Sequence, residues 1–158
     1  MEPSRGIIAA TLPARPGVRA ALRRGSQWAH ADVAAAMSRP VLTIEAGETL
    51  WDAWLLLSVS GLRHLVVVDD GRCLGVLSDR TILTDLPVSE ERLRQRTVGA
   101  LVAGGILHPV RDHHSLAEIA RIMARGSVEA VPVLDDQGRP IGIVTGSDLV
   151  RWWADDGI

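Results

Sequence analysis

The chain reads as an α/β (α+β) protein built from two β-α-β-β-α repeats packed pseudo-symmetrically into one module. Three observations predict this. Short motifs return in the same order at a spacing of sixty-six or sixty-seven residues: Thr49-Leu50-Trp51-Asp52 as Ser115-Leu116-Ala117-Glu118, Leu65-Val66-Val67-Val68-Asp69-Asp70 as Val131-Pro132-Val133-Leu134-Asp135-Asp136, and Gly75-Val76-Leu77-Ser78 as Gly142-Ile143-Val144-Thr145. The same helix-start device opens a helix in both copies, a hydroxyl followed three residues later by an acid. In each copy two short apolar runs flank a turn, around Asp70-Gly71 and around Asp136-Gln137-Gly138.

The elements follow in order. Residues 1–30 carry three prolines, three glycines and five arginines against the single acid Glu2. They read as a flexible or loosely docked tail, or as a short helix with Arg15, Arg19 and Arg23 on one side. The first repeat spans 31–86, a connector 87–97 and the second repeat 98–154. Asp32 is placed to cap a short helix over 33–37 that stops before Pro40. Residues 41–44 form a short strand. Helices then open at Leu50 and at Leu116. The second is amphipathic, with Leu116, Ile119, Ala120 and Met123 on one face and Arg121 and Arg125 on the other. The first has no polar face, from Leu50 through Val59. A helix apolar all round is buried all round, and a unit this small cannot surround it alone, so a homodimer interface is expected there. Leu65 to Val68 pairs back with Leu74 to Leu77, and Val131 to Leu134 with Ile141 to Val144. One extra turn residue in the second copy moves the spacing from sixty-six to sixty-seven. Each repeat closes with a helix, near Thr81 and near Asp148. The charged connector over 89–96 separates the repeats and is compatible with a helix.

Composition excludes several functions. All 17 basic residues are arginine, which removes a Schiff-base lysine and the lysine of a Walker loop. The formal charge of −2 gives no bulk argument for nucleic acid, which leaves the arginine-rich tail as its only basis. Cys73 stands alone, so no intrachain disulfide is possible and a reducing cytoplasm is expected. No apolar run approaches the roughly 18 residues that cross a bilayer. No paired acids, nucleophile with base, or cofactor fingerprint argues for an enzyme. His108, His113 and His114 cluster near one strand without a familiar metal spacing and read as a solvated loop. Trp152 and Trp153 read as packing or dimer contacts.

Chemistry is expected at the two strand-to-helix junctions. Ser78 and Thr145 each end a strand just before a helix N-terminus, whose free amides favour phosphate. In Thr145-Gly146-Ser147-Asp148 the carboxylate either accepts from two ribose hydroxyls or caps its own helix, and Gly146 lets a phosphate approach the backbone. In Ser78-Asp79-Arg80-Thr81 the acid position is Thr81, and Arg80 is placed to meet a phosphate. His64 either meets a nucleobase or phosphate or holds an ordinary edge position.

This ordered set, occurring twice, resembles a tandem pair of cystathionine-beta-synthase (CBS) domains, a Bateman module, over about residues 32–153. The resemblance implies a compact unit with two equivalent clefts that commonly dimerises. It also implies an adenosine-containing ligand: AMP, ADP, ATP, S-adenosylmethionine or NAD. Thr145 and Asp148, with Gly146 and Ser147 between them, would hold the ribose. Ser78 matches in the first repeat, where Thr81 replaces the acid and Arg80 holds a phosphate place. Thr43, Ile44, Pro109 and Val110, with Leu65, Val66, Val131 and Pro132, would line the adenine pockets. The expected role is a regulatory sensor signalling to another protein. The alternative is a dimeric scaffold with degenerate clefts.

Overall fold

The computed structural model describes residues 30–84 and 89–156. The arginine-rich tail expected over 1–30 therefore lies almost wholly outside the described residues. The first half holds β1 (Thr43–Glu45), α1 (Leu50–Ser60), β2 (His64–Asp69), β3 (Arg72–Ser78) and α2 (Asp79–Leu83). Its sheet runs β1-β2-β3, with β1 parallel to β2 and β2 antiparallel to β3. Between the halves lie α3 (Glu90–Gln95) and α4 (Val98–Val102). The second half holds α5 (Leu116–Gly126), β4 (Ala130–Leu134), β5 (Pro140–Thr145) and α6 (Gly146–Asp156).

Local chemistry explains the boundaries. Thr49 and Asp52 form a capping box on α1, and Ser115 and Glu118 form the same box on α5. Each satisfies orphan amides at the helix start. α1 ends at Gly61 in the left-handed conformation, φ 69°. Asp70 (φ 48°) and Gly71 (φ 77°) both take the left-handed turn that joins two twisted strands tightly.

Three expectations need correction. Over 33–37 the chain makes only a 3-10 turn, Val33–Ala35, and the Asp32 side chain forms no capping bond. The Asp32 carbonyl accepts from Ala35 N at 3.0 Å, while Val33 N donates to His114 O at 2.8 Å. The first strand of the second half shrinks to one parallel bridge, Val110 to Val133, because Pro132 has no N–H to donate to His108 as its equivalent Val66 donates to Leu42 O. The closing helix α2 starts at Asp79 rather than near Thr81, since Ser78 is its N-cap. As expected of so small a unit, one chain does not surround α1: Leu50, Ala53 and Leu57 are buried, but Leu55 is 45% and Val59 87% exposed.

The opening segments of the two halves are exchanged. Val33 and Met37 pack into the core of the second half, with Val110, Leu116 and Ile119. Val98 and Val102 of α4 pack into the core of the first, with Leu50, Leu65 and Leu77. The hydrogen bonds match: Val33 N donates to His114 O and Val98 N to Glu48 O, while Leu116 N donates to Ala31 O and Leu50 N to Arg96 O. A third core, with Val66, Val68, Cys73 and Leu134, joins the two hairpins. The halves are thus bound by crossed backbone bonds as well as by apolar burial.

Candidate functional site

Two clefts lie where the halves meet, and equivalent segments build both. The first, of about 310 Å³, is lined by Ser78, Arg80 and Thr81 at the β3–α2 junction, by residues 127–132 and by residues 106–108. The second, of about 1010 Å³, is lined by residues 145–148 at the β5–α6 junction, by residues 61–64 and by Ser38, Pro40, Val41 and Leu42. Each cleft therefore takes its strand-to-helix junction from one half and its opposite wall from the other.

Asp148 is the one buried charged residue among those described, with 7% exposure. Its Oδ2 accepts from Thr145 N at 2.8 Å and from the Thr145 hydroxyl at 2.8 Å, and Asp148 N donates to Thr145 Oγ1 at 3.3 Å. This is a capping box across the start of α6, set by a hydroxyl and an acid three residues apart. Asp148 Oδ1 accepts from the Ser38 hydroxyl at 3.2 Å and lies 3.5 Å from Arg151. The carboxylate thus caps its helix and also forms part of the wall of the larger cleft.

The first cleft differs. Ser78 Oγ accepts from Thr81 N at 3.0 Å and lies 2.7 Å from Thr81 Oγ1, so two neutral hydroxyls stand where the second cleft has a carboxylate. Arg80 reaches across to Glu129 of the other half, Nη1 to Oε1 at 2.7 Å. The guanidinium that the sequence places to meet a phosphate thus already has an acidic partner.

His64 lines both clefts, as do Val128 and Glu129. Burial holds the His64 imidazole below its ordinary range, against the pull of the Glu129 and Asp79 carboxylates. It is therefore neutral at neutral pH and offers one donor and one acceptor.

Of the residues singled out by sequence, Thr145, Gly146, Ser147, Asp148 and His64 line the second cleft. Ser78, Arg80, Val131, Pro132 and again His64 line the first. Thr43, Ile44, Leu65, Val66, Pro109 and Val110 line neither: Thr43 is on an exposed position of β1, and Ile44, Leu65, Val66 and Val110 are buried in the cores. The strand-entry walls come instead from the residues just before Thr43 and Pro109, Val41 and Leu42 in one cleft and Ile106 to His108 in the other. Sequence reading missed Ser38, Arg63, Glu129 and Arg151. The sixty-six-residue spacing maps Arg63 onto Glu129, and that equivalence was the available signal. His113 and His114 stack at 5.0 Å away from both clefts, and no group of three or more metal-ligating side chains exists among the described residues. Burial pushes the Cys73 thiol up, which leaves it protonated and unreactive.

A doubled strand-helix unit with a cleft on each side of the seam defines a paired-repeat module. The chain belongs to the CBS domain family, whose model matches residues 31–87 and 107–155. It is 35% identical over 123 residues to a CBS domain-containing protein of Dictyostelium discoideum, a match covering 72% of this chain and 85% of that one. Among solved structures it resembles CBSX2 in complex with AMP, with 27% identity and a TM-score of 0.66, over 79% of this chain and 97% of the other. It also resembles Hypoxic Response Protein I with two coordinated zinc ions, again with 27% identity and a TM-score of 0.66, over 76% and 97% of the two chains. The chain spans under a third of several further curated relatives, among them a sulfurtransferase of Methanocaldococcus jannaschii (22%) and the magnesium transporter MgtE of Thermus thermophilus (30%).

Proposed function

We propose that this chain is a regulatory module of the cytoplasm that takes an adenosine-containing ligand in the cleft at residues 145–148 and passes the resulting change to a partner protein. The observation that carries this reading is the position of Asp148, buried at 7% exposure in the wall of a 1010 Å³ cleft between the halves. A carboxylate has about four acceptor sites. Thr145 uses the two on Oδ2, while Ser38 at 3.2 Å and Arg151 at 3.5 Å share Oδ1. A ribose diol takes the Oδ1 sites by displacing these two longer contacts. Neutral His64 and the apolar side chains of Val41 and Leu42 suit a nucleobase. A structure 27% identical to this chain contains AMP, which supports the same ligand class.

Because each cleft has walls from both halves, a bound ligand favours one relative packing over another. It shifts that equilibrium only by its differential affinity for the two states. The open side of α1, with Leu55 and Val59, is the proposed homodimer face. No helix among the described residues is long and apolar enough to cross a membrane.

A thermal-shift panel with AMP, ADP, ATP, NAD and S-adenosylmethionine tests the reading. A ligand at a hundredfold excess over its Kd adds about 2.7 kcal/mol, and at least one member should raise Tm by several degrees. A panel with no shift favours the second reading, a dimeric scaffold with unoccupied clefts. That reading draws support from the Arg80–Glu129 ion pair in the first cleft and from the protein donors already on Asp148.

A further inference from the structure

The charges around the two clefts are already matched. Among the described residues, three arginines line them: Arg80 in the first, Arg63 and Arg151 in the second. Each lies against a carboxylate. Arg80 meets Glu129 at 2.7 Å, Arg63 meets Asp79 at 3.3 Å and Arg151 meets Asp148 at 3.5 Å. The first two pairs cross from one element to another, and Arg80–Glu129 joins the two halves.

The guanidinium groups are 68–73% exposed. The Arg80–Glu129 and Arg63–Asp79 pairs, whose carboxylates are also accessible, are of a weak kind, so an incoming phosphate can take the arginine. It then leaves an unpaired carboxylate beside it. Glu129 matters most, because it lines both clefts. Freed from Arg80, it faces a ligand anion in either one. His64, the other shared polar side chain, adds no positive charge, since burial keeps it neutral. One phosphate can be accommodated by exchange with a single carboxylate. Each further phosphoryl group brings more negative charge and, among the described lining residues, meets no arginine that lacks a carboxylate partner.

We infer that the clefts select an adenosyl ligand of low negative charge, a nucleoside or nucleoside monophosphate over a triphosphate, and that Glu129 sets this limit. The inference rests on the adenosyl reading above. Calorimetric titration of the full chain and of Glu129→Gln with adenosine, AMP and ATP, free of divalent cations, tests it. The wild-type chain should bind AMP more tightly than ATP. Removing the Glu129 charge should then shift the AMP-to-ATP affinity ratio toward ATP by up to about fivefold, the range of one exposed charge pair. ATP binding as tightly as AMP to the wild-type chain overturns the inference. So does a ratio that Glu129→Gln leaves unmoved, which makes the preference steric. If adenosine, AMP and ATP all fail to bind, the adenosyl reading falls, and this inference falls with it.

Discussion

At Asp148 helix capping and cleft lining share one carboxylate. The pairing with Thr145 was legible in the sequence, because a hydroxyl and an acid three residues apart at a strand end have few other local uses. The Ser38 hydroxyl on its second oxygen was not, since the two residues are 110 apart and only the folded chain brings them together. Arg80 teaches the same lesson: its basic character was plain, its partner Glu129 was not. His64 gives a residue-scale prediction. Its imidazole is harder to protonate in the folded chain than in the unfolded one. The unfolded chain therefore gains protons first as pH falls below the ordinary value near 6.5. Stability drops through that range and levels off once folded His64 is itself protonated. Denaturant melts at pH 7.5 and 5.5 should show this loss, and His64→Asn should show less of it. An equal loss in both proteins assigns the pH dependence elsewhere.

At the scale of elements, the capped helices and the two hairpins were readable from caps, turn residues and β-branched runs. The five-residue α4 was not, because so short a segment shows no helical period. The first strand of the second half is weaker than its sequence suggests, since Pro132 cannot donate to His108 as Val66 does to Leu42. α4 sits close against the first half. A Cβ added at Gly99 would stand 2.9 Å from both Ala46 Cβ and the Ala46 carbonyl oxygen, while one added at Gly104 meets nothing within 4 Å. Gly99→Ala must shift backbone, and overpacking of this kind costs about 1–3 kcal/mol. The melting temperature should fall by several degrees in Gly99→Ala and hold nearly steady in Gly104→Ala. Equal values for the two variants would mean α4 is not held where its contacts place it.

For the whole molecule, the repeat spacing announced two like units, but not that their opening segments change places. Crossed hydrogen bonds between residues 46 to 85 apart leave no local pattern to read. The exchange makes the two halves one mechanical unit, so a ligand in either cleft presses on both. The exposed apolar side of α1 argues that this unit pairs with a second copy. Sedimentation should find a dimer for the native chain and a monomer for Leu55→Arg; a dimer that survives the substitution puts the interface on another face. If the seam between the halves holds an adenosyl ligand through Asp148, calorimetric titration with AMP should separate the native chain from Asp148→Ala, with circular dichroism confirming that both are folded. The native chain should bind, and the variant should lose at least tenfold in affinity, about 1.4 kcal/mol or more. Equal affinity in the two proteins, or no binding to the native chain, would rule this role of Asp148 out.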